Sequence, residues 1–306
     1  MEAKRPLHLK SISAFHKLRG LPAPEHPLIS VIDYSKMKIG DADESQGLLF
    51  DFYLISVKKG LPIKLKYGQQ TYDHDEGVMS FIAPHQLLKI EKLAGSSAVR
   101  SGWMLLIHPD FMWNTPLAKN IRQYDYFGYA VNEALFLSEK EEASLNHIIN
   151  SIKEEYQNNI DKFSQNIIIA QIETLLNYAE RFYQRQFITR KKSSHQLLEK
   201  MEILLEGYFS NEELMSRGLP TVQWVSEHLN VSAGYLGSLL KSLTGMNTQQ
   251  HIHEKLIEKA KAMLSTSTLS VSEIAYELGF EHSQSFSKFF KKKTSVSPLE
   301  FRQSFN

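Results

Sequence analysis

Ile274-Ala275-Tyr276-Glu277-Leu278-Gly279-Phe280 leads into Ser283-Gln284-Ser285-Phe286-Ser287-Lys288-Phe289-Phe290-Lys291, and this stretch decides the fold of the closing part of the chain. It reads as a short amphipathic helix, a tight turn and a second helix that ends in lysine. An earlier stretch repeats the pattern. Val225-Ser226-Glu227-His228-Leu229-Asn230-Val231 leads into Ser232-Ala233-Gly234-Tyr235-Leu236-Gly237-Ser238-Leu239-Leu240-Lys241. The spacing predicts two helix-turn-helix units, Val225 to Leu243 and Ile274 to Thr294, a layout in which the second helix of each unit enters a DNA major groove.

The packing needs of such a unit are met twice. Val225, Leu229, Val231, Leu236 and Leu239 supply one inward set; Ile274, Leu278, Phe280, Phe286 and Phe289 or Phe290 supply the other. A small residue is wanted where the helices approach, and Ala275 and Ser226 stand there. The turn needs a residue tolerant of positive φ, which Gly279 and Asn230 provide. Ser270-Val271-Ser272-Glu273 has the form of a capping box opening the second positioning helix, and Thr221 after Pro220 is the expected N-cap of the first. Ile252, Leu256, Ala260 and Leu264 recur on one face of a helix from about Thr248 to Leu264. Its 17 residues span about 25 Å, enough to place the two reading helices near one DNA turn apart.

Working outward, Thr189-Arg190-Lys191-Lys192-Ser193-Ser194 is polar and basic and reads as a linker. Before it, a helix from about Phe163 to Phe187 carries an apolar stripe of Ile168, Ile172, Leu175, Ala179 and Phe182. That stripe suits either packing on its own chain or the same helix of a partner. Ser138-Glu139-Lys140-Glu141 is a capping box opening a helix toward Tyr156. The front half is strand-rich, with runs at Leu28 to Asp33, Leu48 to Lys58, Ile63 to Tyr72, Val78 to Ala83 and Trp103 to His108 separated by turn residues. Strands at this spacing suggest a small antiparallel barrel or sandwich.

Composition limits the function classes. The 306 residues suffice for two domains. The absence of cysteine excludes disulfides, thiolate metal sites and cysteine nucleophiles. No signal-peptide core follows Met1, and no run approaches the roughly 20 apolar residues of a membrane helix, so a cytoplasmic location is expected. Net charge is only +1. Residues 195–306 carry 11 Lys+Arg against 12 Asp+Glu, a net of −1, whereas residues 181–194 carry five basic residues and no acid. Positive charge is therefore local, concentrated at Lys288, Lys291, Lys292 and Lys293, and suits either phosphate contact or a solvated helix face.

No nucleophile elbow, phosphate-binding glycine loop or HExxH occurs. His74, His85 and His108 are scattered, with no His-x-His on a strand. His251-Ile252-His253 lies on a predicted helix, where the two rings point to different faces. Neither catalytic residues, nor a metal site, nor a cofactor is expected. Phe50, Phe52, Tyr67, Phe81 and Trp103 cluster on strands as candidate lining of a ligand pocket, or as plain core.

Ile274-Ala275-x-x-Leu278-Gly279-Phe280, Ser283-x-x-Phe286-Ser287-Lys288-x-Phe290-Lys291 and Val296-x-Pro298-x-x-Phe301-Arg302 together closely resemble the signature of AraC/XylS-type transcription regulators. The resemblance covers about Gln196 to Phe305. It implies a seven-helix DNA-binding domain, and the stretches from Met79 to Pro84 and from Gly102 to Pro109 look like the cupin-type sensor often joined to it. The expected architecture is α+β and multidomain. A cupin-like sensor barrel spans 1–135, a helical dimerisation or relay segment 136–188, a linker 189–194 and the helix-turn-helix domain 195–306. The implied partners are double-stranded promoter DNA, a small-molecule effector, a second copy in a homodimer, and RNA polymerase if the protein activates. The alternatives are a metal-dependent cupin enzyme fused to a DNA-binding module, and a ligand-free dimerising regulator.

The family usually has Arg near Ser238 and Lys288, Phe near Leu240 and Gly near Ser295. Lys288 keeps the charge without the fork that reads guanine. Gln284 is the best candidate for direct readout, since an amide pairs with adenine. Ser283, Ser285 and Ser287 suit phosphate or bases, and Lys241, Lys291 and Lys292 suit phosphate. In the first reading helix Ser232, Gly234, Tyr235 and Ser238 are the contact candidates; with Gly234, Gly237 and Ser238 it has few long side chains, so shape or backbone contacts are expected there.

Overall fold

The computed structural model describes residues 6–38, 47–59, 66–67, 70–71, 77–88, 101–130, 133–158, 161–189, 191–210, 214 and 217–304. The chain forms two compact units, 1–186 and 187–306. The expected division into a sheet-rich front and an all-helical close is present.

In the first unit β1 (Leu7–Leu9) precedes α1 (Ile12–Leu18), followed by β2 (Ile29–Asp33), β3 (Leu48–Phe50) and β4 (Tyr53–Lys59). Next come the short β5 (Lys66–Tyr67) and β6 (Gln70–Thr71), then β7 (Gly77–Ile82), β8 (Leu87–Leu88) and β9 (Ser101–Ile107). After α2 (Pro116–Asn120) the chain adds β10 (Leu135–Leu137), α3 (Glu139–Gln157) and α4 (Ser164–Thr189). An antiparallel five-stranded sheet has the order β10-β7-β4-β9-β2, and a three-stranded sheet has the order β1-β3-β8 with β1 parallel to β3. Among the described residues β5 and β6 form a separate two-stranded sheet. Among the described residues no ladder joins the two larger sheets.

Side-chain alternation explains the layers. Ile32, Leu54, Ile82, Met104 and Leu106 from the large sheet pack with Leu9, Leu48 and Phe50 of the small sheet and with Ile12 and Phe15 of α1. The intervening residues Ile55, Val57, Phe81, Trp103 and Leu105 are also buried. Their side is covered by helices: the Trp103 indole donates to Asn146 Oδ1 of α3 (2.8 Å), and the Phe81 ring lies against Tyr183 of α4. Burial on both faces is why the β9 run Trp103-Met104-Leu105-Leu106-Ile107 is apolar without alternation.

The Ser138 capping box forms, its hydroxyl accepting from the Glu141 N–H while the Glu141 carboxylate accepts from the Ser138 N–H. The α4 stripe of Ile168, Ile172, Leu175, Ala179 and Phe182 is buried within its own chain. Polar bonds fix the register of this helix: the Tyr126 hydroxyl donates to the Leu176 carbonyl (2.8 Å), and Gln186 Oε1 accepts from the Phe136 N–H (2.9 Å). Arg185 clasps the Glu141 carboxylate at 2.6 and 3.0 Å and donates to the Phe136 carbonyl. One of the basic residues counted in the 181–194 cluster is therefore committed to an internal ion pair.

The second unit contains α5 (Lys191–Ser210), α6 (Val222–His228), α7 (Ala233–Thr244), α8 (Thr248–Thr266), α9 (Val271–Glu277), α10 (Ser283–Thr294) and α11 (Pro298–Gln303). Lys191 to Ser194, read from the sequence as part of the linker, lie in the first turn of α5. Lysine is a good helix former and serine suits a first turn. Ile252, Leu256, Ala260 and Leu264 of α8 are all buried at the centre of this unit. No helix among the described residues is long and apolar enough to cross a membrane.

Candidate nucleic-acid interface

The two helix-turn-helix units share their backbone hydrogen bonds. In the first, Leu229 N–H donates to the Val225 carbonyl (3.1 Å), Asn230 to Glu227 (3.1 Å) and Val231 to Ser226 (3.0 Å). In the second, Leu278 donates to Ile274 (3.0 Å), Gly279 to Tyr276 (2.9 Å) and Phe280 to Ala275 (2.9 Å). Asn230 and Gly279 both adopt the left-handed region, with φ of +54° and +78°, as the turn requires. The positioning helices and turns thus correspond at a separation of 49 residues. The second helices correspond at 50, because the cap of α7 is Ser232 and that of α10 is His282. One extra residue in the second turn accounts for the change.

The caps and packing follow the sequence. Thr221 Oγ1 accepts from the Trp224 N–H (3.1 Å), and Ser270 and Glu273 form their capping box. Ser232 Oγ accepts from the Tyr235 N–H (3.2 Å), whereas His282 provides no side-chain cap. Val225, Leu236, Leu239, Ile274, Leu278, Phe286 and Phe290 are fully buried. Between the two phenylalanines left open for the second unit, Phe290 enters the core and Phe289 lies half-buried against Phe280 and His253. Buried Ser226 satisfies its hydroxyl by donating to the Gln223 carbonyl (2.9 Å). Gly279 has a second duty. A Cβ there would stand 2.7 Å from the Leu214 carbonyl oxygen and 2.9 Å from Gly218 Cα, so the turn rests directly on another stretch of backbone.

The far ends of the reading helices match as well. Thr244 donates to the Leu240 carbonyl (2.9 Å) and Thr294 to the Phe290 carbonyl (2.8 Å). Gly245 and Ser295 then close the helices in the left-handed region, at φ +78° and +69°. Serine pays an intrinsic penalty in this conformation that glycine does not. Ser295→Gly is therefore expected to stabilise the unit by about 0.5–1 kcal/mol, read as a higher urea midpoint at unchanged slope; a lower midpoint would contradict it.

Ser283 to Lys292 divide cleanly. Gln284, Ser285, Lys288, Lys291 and Lys292 are exposed, Ser283 and Ser287 half-buried, and Lys293 extends the exposed basic run. The Ser287 hydroxyl donates to the Ser283 carbonyl (3.0 Å), leaving its oxygen to act as an acceptor. In α7 only Lys241 is exposed among the candidates; Ser232, Gly234 and Ser238 are half-buried. Tyr235 departs from the expectation. It is 1% exposed, its ring set edge-on to Phe187 at 5.3 Å, so it serves as a packing residue. Fifty residues separate Gly234 from Gln284, Gly237 from Ser287, Ser238 from Lys288 and Lys241 from Lys291. Gln284 and Lys288 are long and polar where Gly234 and Ser238 are short, whereas Lys241 and Lys291 are alike.

Of the five front-half candidates, the four that are described occupy different surroundings. Phe50 and Phe52 pack with Phe15 in the core between the sheets, with ring centroids 5.4–6.1 Å apart. Trp103 is held by α3, and the Tyr67 side chain lies outside the described residues. Phe81 borders a cavity of about 70 Å³ that Lys58, Ser80, Gln86, Tyr126 and Tyr129 also line. Burial lowers the Lys58 amine to a pKa of about 8, with Arg19 adding to the effect. His251 and His253 point to different partners, Thr244 Oγ1 and Gln249 Nε2, both at 2.9 Å.

Comparison with known proteins places these observations. A family described as "Helix-turn-helix domain" matches residues 225–304. The chain is 32% identical over 131 residues to the HTH-type transcriptional activator RhaS of Escherichia coli (strain SE11), a match covering 40% of this chain and 44% of that protein. It is 29% identical over 119 residues to histidine kinase P4 of Formosa agariphila, covering 39% of this chain and 8% of that one. The chain thus spans less than half the length of these curated relatives. Among solved structures, the C-terminal domain of the two-component response regulator yesN from Fusobacterium nucleatum is 32% identical, with a TM-score of 0.30, covering 34% of this chain and 95% of that one. With its duplicated turn and paired caps, the closing region of this chain is a helix-turn-helix domain, matched as such over residues 225–304, and it carries the AraC/XylS-type resemblance read from its sequence.

Proposed function

We propose that the protein is a transcription regulator that binds promoter DNA through both helix-turn-helix units, with α10 carrying most of the sequence readout. The observation behind this reading is the outer face of α10, where Gln284, Ser285, Lys288, Lys291 and Lys292 stand exposed above a fully buried inner face. Lys288, Lys291 and Lys292 suit phosphates, Gln284 a base edge, and the short side chains of α7 suit contacts through shape and backbone. In this reading residues 1–135 are the sensor and 136–188 a relay or dimerisation segment. A small-molecule effector or self-association of the front unit then biases DNA binding by favouring one of two arrangements. The mention of transcriptional activation in a relative's name supports the same reading, with RNA polymerase as a further partner.

The test is titration of the full chain with genomic fragments at several salt concentrations. Selected sites are expected to bind more tightly than bulk DNA, with affinity falling linearly on a log–log salt plot. Absence of any site preference at every salt concentration would refute the regulator reading.

A further inference from the structure

Three side chains distant in sequence meet at one corner of the front unit. His8 lies in β1, Asp51 between β3 and β4, and His85 between β7 and β8. Sheet pairing brings them together. β1 runs parallel to β3 with His8 opposite Leu49 and Leu9 opposite Phe50. Just beyond, the Asp51 N–H donates to the Leu9 carbonyl (3.1 Å), and the His85 N–H donates to the Phe50 carbonyl (2.7 Å). The three backbones are therefore tied to one another at or beside the residues in question.

The side chains converge. His8 Nε2 lies 2.6 Å and His85 Nδ1 3.2 Å from the same Asp51 Oδ1. One ligand atom from each residue lies within 4.8 Å of the other two. Donors around a tetrahedral ion with bonds of about 2.0–2.1 Å stand about 3.3 Å apart, so shifts of about an ångström would complete the geometry. His85 is held at φ +64°, an uncommon conformation for a residue with a side chain. Side-chain exposures of 37%, 25% and 73% for His8, Asp51 and His85 leave room for water at the remaining positions.

We propose that His8, Asp51 and His85 form a surface site for a divalent transition-metal ion of the zinc class. Two imidazoles and one carboxylate suit such an ion, whereas magnesium and calcium favour shells of oxygen. The bound ion fastens β1 to the β3–β4 and β7–β8 turns, so the front unit gains stability when the metal is present. This site lies within the front unit, and its test is independent of DNA binding.

Tag-free full-length protein, stripped with a chelator and dialysed to pH 7.5, would be titrated with Co(II) and then Zn(II). One equivalent of Co(II) is expected to give visible d–d absorption that one equivalent of Zn(II) removes, and Zn(II) should raise the Tm. His85→Gly removes the ring while tolerating positive φ, and His8→Gln keeps a polar side chain of similar reach. Each is expected to weaken Zn(II) binding at least about tenfold and to remove the Tm rise while the metal-free circular dichroism stays unchanged. Lack of a stoichiometric Zn(II) or Co(II) complex with the natural protein overturns the proposal. So does equal affinity in the natural protein and the His8→Gln/His85→Gly double variant.

Discussion

Gly279→Ala is expected to destabilise the helix-turn-helix unit by about 3 kcal/mol and to lower its Tm by roughly 10 °C or more. Two costs combine. An alanine at φ +78° carries the left-handed penalty of about 1 kcal/mol. Its Cβ also meets two backbone atoms, Leu214 O at 2.7 Å and Gly218 Cα at 2.9 Å, so a rotamer change gives no relief. Nor does the opposing strap yield freely. Gly218 itself sits at φ +70°, its N–H donates to the Leu214 carbonyl (3.0 Å), and its own carbonyl accepts from the Tyr208 hydroxyl (2.8 Å). Gly245→Ala is the control: it has the same φ of +78° but nothing within 4 Å of the added carbon, so about 1 kcal/mol is expected. Urea unfolding of both variants, followed by far-ultraviolet circular dichroism, separates the terms. Equal midpoints would show that the close approach carries no cost.

Gln284→Ala and Lys291→Ala should affect DNA binding in different ways. Loss of the Gln284 amide is expected to cost about 1–3 kcal/mol of discrimination at one base position while leaving the others intact. Loss of Lys291 should weaken every site alike and flatten the slope of log affinity against log salt by about one. Ser238→Ala, at the position of the first unit that corresponds to Lys288, should change either quantity little. Binding measured against a set of single-base operator variants at three salt concentrations checks all three. Identical profiles for Gln284→Ala and Lys291→Ala would end the assignment of separate roles.

Features that depend on a few neighbouring residues were legible in the sequence. Asn230 and Gly279 announced the turns because few other residues accept positive φ, and Ser138 and Ser270 announced helix starts through a glutamate three residues on. Two further boxes, Asn247 with Gln250 and Ser297 with Glu300, form by the same chemistry and carry the same local signature, although neither was anticipated. Features that depend on pairing were not legible. β1, β8 and β10 are two or three residues long and exist because neighbouring strands present partners for them. Tyr235, expected among the contact residues of the first reading helix, is turned inward by helical phase against Phe187. The meeting of His8, Asp51 and His85 follows from the parallel β1–β3 ladder, which no local pattern encodes. Histidines judged scattered in the sequence included one member of this cluster.

In the second unit the positions that hold the fold and the positions that face outward are different residues. Positions 274, 278, 286 and 290 hold the second unit together, whereas 284, 288, 291 and 292 face outward, and no residue belongs to both sets. Under the proposed function, the scaffold is therefore separable from the text it would read. Mutations could rewrite the operator preference of α10 while the fold stays fixed, and α7 offers Gly234, Ser238 and Ser242 at three of the four corresponding places and Lys241 at the fourth.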